Sequence, residues 1–488
     1  MAARLTSYVV VGIVAATLIA GLIVRAQRDD SDGPVDLIVH NAVVFTGNRS
    51  DERAEALAVR ANQILKVGTN REIVRLRRPQ TVVIDAKGAA VLPGFNDAYV
   101  HLIEGGLSLE GVDLTGAATL EEALERVRSW AEVHPDKRWI SGRGWSFGAE
   151  VSPTRQALDA VAADRPVYLR SHDGKAAWVN SRALRLSKIV ARTKDPENGR
   201  IVRDRKREPT GVLEGSAADL VAVNLPTPTR DDRMRALQNA LAQAHSLGIT
   251  SLQTTVADHS ELEMFDAVRQ GSSVEVRLYH VLQVRAAADE LDIAALDPVL
   301  ARYADDPLAK SGAASVPLES LDDDGLNRTV RLLDARGWQV SIEAETAEKA
   351  EQARDAFTHA RRSNGSRAAA RRHRIERRNG VFTEMANAKA IGSDWPNGPL
   401  APMRVVQKAV AHHALSDALR AYTYGGAFAS HDEKRKGTLE PGMLADIVVL
   451  SADIFTLQPS QLDTVKVAYT IFDGRIVYPF DRRTTTFP

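Results

Sequence analysis

The stretch VLPGFNDAYVHLIEGG, Val91–Gly106, carries the clearest chemical signal in the chain. It has the shape of an apolar strand ending in the x-His-x-His spacing of a metal-binding pair. Tyr99 holds the first of those positions and His101 the second. A phenol ligates a metal only as phenolate, and a group of pKa about 10 resists that ionisation near neutral pH. Tyr99 therefore reads as a packed residue at a strand end. A histidine alone, as His101 is here, is more often a hydrogen-bonded core residue than a ligand. Asp97 and Glu104 flank the pair, and a strand-end cap and a solvated loop account for them. The chain has no cysteine, which excludes disulfides and thiolate zinc sites. Any metal must rest on His, Asp, Glu or a modified Lys. Two readings stand: a metal hydrolase with one altered residue, or a chain that kept a fold and lost its chemistry.

The elements that position these residues follow from composition and pattern. The 488 residues balance 63 basic against 63 acidic side chains and are 44% hydrophobic. That suffices for a large domain plus a smaller one and is too apolar for disorder. The neutral balance argues against a nucleic-acid partner, which needs a basic surface. Near the N-terminus, SYVVVGIVAATLIAGLIV (Ser7–Val24) carries no charge. Its length approaches the ~20 residues of a bilayer span and exceeds the roughly 7–15 residues of a cleavable signal core. Residues 1–28 are thus expected to form a single-pass membrane anchor, with the large domain outside the cytoplasm, periplasmic or extracellular. Cleavage after Ala26 and secretion is the alternative. Residues 29–34, DDSDGP, read as a linker.

Beyond the linker, VDLIVHNAVVFTG, ILKVG and TVVIDAKGAAVLPG alternate as strands do. At the other end ADIVVLSAD, VKVAYTIF and RIVYP do the same, with Asp473-Gly474 as a hairpin turn. One composite β-sandwich is expected from residues 35–92 and 431–488. Residues 93–430 alternate strands such as WISGRGW, RPVYLRSHDG, ITSLQTT and WQVSIEAE with helices such as TLEEALERVRSWAEV, capped at Thr119 with Glu122 three positions on. That alternation predicts an α/β fold, a TIM-type (β/α) barrel. One interval breaks it. Between Arg377 and Ala388 there is room for one short turn, whereas a strand with its helix needs about 30 residues. An incomplete or irregular barrel is expected there.

The motifs VLPGFNDAYVHL, SHDGKAAWVNSRAL, EPTGVL, LGITSLQ, RHRIE, GSDWP and RKGTLEPGMLADIVVL occur in this order. Together they resemble the amidohydrolase superfamily, in particular the amidohydrolase family 3 type that includes N-substituted formamide deformylase-like proteins. The resemblance covers nearly everything after residue 35. It implies a TIM-type barrel with a composite β-sandwich and metal at the C-terminal strand ends. It also implies metal ligands from an x-His-x-His pair, a carboxylated Lys or an acidic residue, and two further histidines. An aspartate on the last strand completes the set. Metal-bound water attacks an amide carbon and the aspartate shuttles the proton.

On the resemblance, His101 matches the second histidine and Asp394, in GSDWP, the catalytic aspartate. The other positions depart. Tyr99 replaces the first histidine. Ser315 stands for the bridging lysine and cannot form a carbamate. Glu343 stands for a histidine and Ala347 for the aspartate that follows it. Arg377 stands for the last histidine, and Lys175 lies where relatives place another. Arg377 is permanently cationic and repels a metal, so it is expected to pair with Asp394 or Glu343. Lys175 is expected in the cavity, filling space once held by metal charge, with Asp97 nearby.

These substitutions predict a membrane-anchored pseudoenzyme without a cofactor, acting as a binding or assembly subunit for a protein partner. The alternative is a hydrolase of C–N bonds in small amides, with a single zinc held by His101, Glu343 and Asp394.

Overall fold

The computed structural model describes residues 34–50, 52–148, 151–271, 276–285, 288–303, 306–365, 370–377, 382–386 and 388–479. The expected anchor, residues 1–28, lies outside them. Among the described residues no helix is long and apolar enough to cross a membrane.

The two chain ends meet in one sheet. Ile447–Leu450 runs antiparallel to Ala90–Pro93, which pairs in turn with Val43–Phe45. This six-stranded sheet also takes in Val467–Phe472 and Arg475–Tyr478. A second sheet of four strands uses residues 37–85 alone. Alternate residues of both sheets, among them Leu37, Val39, Leu57, Val91, Ile447 and Ile471, are buried in one cluster, as a period of two requires. The hairpin forms at Asp473-Gly474, both with positive φ (50° and 79°). A Cβ on Gly474 would stand 1.9 Å from the Ala61 carbonyl oxygen, so the close approach of the chains needs glycine there.

Eight strands form the barrel sheet: β1 (Phe95–Val100), β2 (Ile249–Val256), β3 (Arg277–Gln283), β4 (Ala309–Val316), β5 (Gln339–Ala344), β6 (Arg374–Arg377), β7 (Phe382–Met385) and β8 (Ala388–Ile391). Strands β1 to β6 are parallel neighbours. Strand β7 is antiparallel to both β6 and β8. A parallel bridge between Val100 and Trp395 nearly closes the ring. The interval after Arg377 therefore holds more than the single turn expected of it. Antiparallel pairing needs only a hairpin, whereas parallel pairing needs a crossover of a dozen residues or more. With β7 antiparallel to both neighbours, neither the link into it nor the link out of it needs a helix crossover, and the barrel still has eight strands.

The strand–helix alternation expected over 93–430 is also interrupted. WISGRGW and RPVYLRSHDG are strands, but they pair with each other in a separate six-stranded sheet spanning Val112–Gly215. This sheet is inserted between β1 and β2 and has its own buried clusters, one around Val127, Leu158 and Trp178. Its helix Leu120–Val133 starts at Thr119, whose side chain accepts from the Glu122 amide at 3.1 Å. The Glu122 carboxylate accepts from Ala118 rather than from Thr119.

Candidate functional site

The end of β1 and the segment after β8 are tied by backbone. The Asp394 amide donates to the Tyr99 carbonyl (2.9 Å) and the His101 amide to the Trp395 carbonyl (2.7 Å). Asp394 takes a positive φ of 54°, a conformation that Asp tolerates better than most residues. Its carbonyl accepts from the amides of Asn397 and Gly398 at 2.7 and 3.0 Å. Gly105 lets the Trp395 ring settle on the helix Leu102–Ser108, since a Cβ there would lie 2.1 Å from the ring.

This backbone frame brings His101 and Asp394 together, as the resemblance implies. His101 Nε2 lies 3.5 Å from Asp394 Oδ1, and its Nδ1 is 2.9 Å from Thr255 Oγ1 on β2. Burial pushes the imidazole pKa down, but Asp394, Glu104 and Glu343 outweigh it and leave His101 above its usual value. Asp394 Oδ1 also accepts from Asn397 Nδ2 at 3.2 Å. Asp394 Oδ2 is buried with no hydrogen-bond partner.

Across the mouth the expected set does not assemble. Tyr99 donates its hydroxyl to Glu343 Oε2 at 3.0 Å. Burial, with the negative charge of Glu343, Asp394 and Glu376, holds the phenol well above its usual pKa, so it stays protonated and is no ligand. Ser315 lies on β4 opposite Ser341 and offers only a hydroxyl. Among the described residues no three His, Asp or Glu side chains are placed to hold a metal ion. The candidate zinc set His101, Glu343 and Asp394 is divided: His101 meets Asp394, while the Tyr99 hydroxyl engages Glu343. The residues present do not fit the family's metal.

Three more expectations change. Arg377 pairs with neither Asp394 nor Glu343. Its Nε donates to Glu384 Oε1 at 3.1 Å and its Nη1 to the Thr346 carbonyl. Strand β7 supplies that nearer carboxylate. Asp97 does not face the cavity. It is fully buried and accepts from the Ser393 amide (2.8 Å), the Tyr422 hydroxyl (3.0 Å) and the Tyr99 amide (3.3 Å). Burial pushes its carboxyl up to about 6 against those donors. Lys175 is exposed in a turn of the inserted sheet, its amide bonded to Asp173 Oδ1, because that segment left the barrel.

The barrel interior holds a network that the motifs alone do not disclose. Arg374 is fully buried on β6, with Nη1 donating to Gln253 Oε1 and Nε 2.9 Å from Glu376 Oε1. Glu376 accepts from Ser341 (3.2 Å) and Thr383. Burial keeps the Glu376 pKa above its usual value although Arg374 opposes this. The alternation Arg374-Ile375-Glu376 was the available signal, since a period of two sends both charges to one face. Thr255 had a signal too: it ends the strand ITSLQTT.

Beside the mouth lies a cavity of about 570 Å³. The Trp395–Pro399 loop lines it, with Asp113, Arg143 and His172 from the inserted sheet and Met403 and Arg404 from the helix Pro402–Ala409.

The model of the amidohydrolase family matches residues 82–391 and 382–478. Protein LONG AFTER FAR-RED 3 of Arabidopsis thaliana is 26% identical over 91% of this chain and 92% of its own length. N-substituted formamide deformylase of Arthrobacter pascens is 36% identical over 38% of this chain and 35% of its own. A crystal structure of an uncharacterized metal-dependent hydrolase from Pyrococcus horikoshii OT3 superposes with a TM-score of 0.60 at 19% identity. That alignment covers 87% of this chain and 99% of the other.

Proposed function

The chain belongs to the amidohydrolase family, and from that premise we propose that it is a binding protein built on a hydrolase fold, without metal-dependent hydrolysis. The observation that carries this reading is the Tyr99–Glu343 hydrogen bond at 3.0 Å. It joins two of the positions that the family's ligands occupy, and it uses the proton that a metal would have to displace. His101 and Asp394 then serve as a polar pair at the barrel mouth, able to orient a polar group of a ligand. An amide is the natural candidate, since a relative is named as a formamide deformylase. The hydrophobic run Ser7–Val24 supports placement at a membrane with the large domain outside the cytoplasm, where a protein partner would read the ligand-bound state.

Metal analysis of the purified full-length chain, grown with added zinc and assayed on N-benzylformamide, tests the proposal. Substoichiometric zinc and no amine release are expected. One zinc per chain, with hydrolysis that His101→Ala abolishes, would establish the rival reading of a mononuclear C–N hydrolase.

A further inference from the structure

The wall of the 570 Å³ cavity formed by the inserted sheet carries Arg143, a half-buried cation with no ion pair among the described residues. Arg143 lies in register with Asp113 on one neighbouring strand and with Arg170 on the other. The Arg170 guanidinium donates to the Gly174 carbonyl at 3.1 Å. The Arg143 guanidinium makes no hydrogen bond or ion pair among the described residues. Asp113 and Asp394 act on it only at longer range, and burial, aided by Arg170, pulls its pKa below the usual value. A half-buried guanidinium whose donors are unmet is costly, although Asp113 on the neighbouring strand offsets part of its charge. Its donors are arranged as a planar fork that matches a carboxylate.

The rest of the cavity narrows the ligand. Leu247, Pro399, Leu400 and Met403 line it with apolar surface. Asp113 and Asp463 line it as well, and they disfavour a dianion. The volume lies within the range of about 300 to 1,000 Å³ typical of small-molecule sites. We propose that this cavity binds a small molecule with an apolar body and a single carboxylate, and that Arg143 is the partner of that carboxylate. The inference rests on the reading of the mouth as a binding site and names its ligand class.

The probe is N-benzoylglycine, titrated calorimetrically into the full-length chain, with N-benzoylglycinamide and inorganic phosphate as controls. The acid should bind at least about tenfold more tightly than the amide and than phosphate, the scale of one charge-assisted contact. Arg143→Gln should remove the preference for the acid. Arg143→Lys should retain part of it, since lysine keeps the charge but not the fork. Equal binding of acid and amide, tighter binding of phosphate, no binding of the acid, or a preference undiminished in folded Arg143→Gln would each overturn the proposal. If Arg143→Gln fails to fold, the acid–amide ratio in the parent chain and in Arg143→Lys decides. Release of benzoate from the acid would instead refute the non-hydrolytic reading and leave the carboxylate preference intact.

Discussion

The two sides of the barrel mouth treat charge differently. On the side of β1, β2 and β8, His101, Asp394 and Thr255 remain in contact, and one carboxylate oxygen of Asp394 is still without a partner. On the side of β5, β6 and β7, the carboxylates that face the chain have internal partners. Glu343 has the Tyr99 hydroxyl, Glu376 has Arg374 and two hydroxyls, and Glu384 has Arg377. In a metal-holding barrel a divalent cation balances such carboxylates. Here arginines face Glu376 and Glu384, and the neutral Tyr99 hydroxyl donates a hydrogen bond to Glu343. Strand β7 adds to these internal contacts, through Thr383 to Glu376 and Glu384 to Arg377.

Three measurements can break or sharpen this contrast. The largest effect should come from Arg374→Met. It leaves Glu376 buried without its cation, and destabilisation of about 3–5 kcal/mol is expected in denaturant unfolding. Adding Glu376→Gln should recover part of that loss. If the single variant is neutral, Arg374 does not balance the buried Glu376 carboxylate.

The second is a pH effect at the floor of the mouth. The folded pKa of Asp97, about 6, lies above its unfolded value of about 3.8. The folded state therefore favours the protonated acid. Its stability contribution is complete below about 3.8 and is lost as pH rises through about 6. The stability of the parent chain minus that of Asp97→Asn should fall by on the order of 3 kcal/mol between those limits and stay level above them. A difference that rises with pH would reverse the assignment.

The smallest effect is expected at Arg377→Gln. Both partners of this ion pair are about a quarter to a third exposed, and such pairs contribute roughly 0.2–1 kcal/mol. A loss near that of Arg374→Met would show that the rim, not the interior, holds the charge balance.

Much of the architecture was legible in the chain. The alternating ends, the Asp473-Gly474 turn and the motif order point to a composite sandwich and a barrel, and both are present. The strand FTEM within β7 was not, because four residues show no usable period and because a parallel neighbour was assumed. The inserted sheet was hidden for a related reason. Strand and helix patterns are local, whereas sheet membership depends on which distant strand supplies the hydrogen bonds. Of the candidate site, the motifs point to the meeting of His101 with Asp394, while the exposed position of Lys175 and the Tyr99–Glu343 hydrogen bond were not legible.

By itself the sequence determined which chemical groups exist at the mouth: one imidazole, carboxylates, a phenol, a hydroxyl and a guanidinium. These are covalent facts, and they already remove the carbamate and most of the imidazole donors. Only the tertiary structure decided who meets whom. Whether Arg377 turns to Glu343 or to Glu384, and whether Asp97 faces solvent or Tyr422, depends on strand order and register. Pairwise electrostatic and hydrogen-bond energies fall off over a few ångströms, so a neighbouring strand that the pattern does not reveal is enough to change the partner.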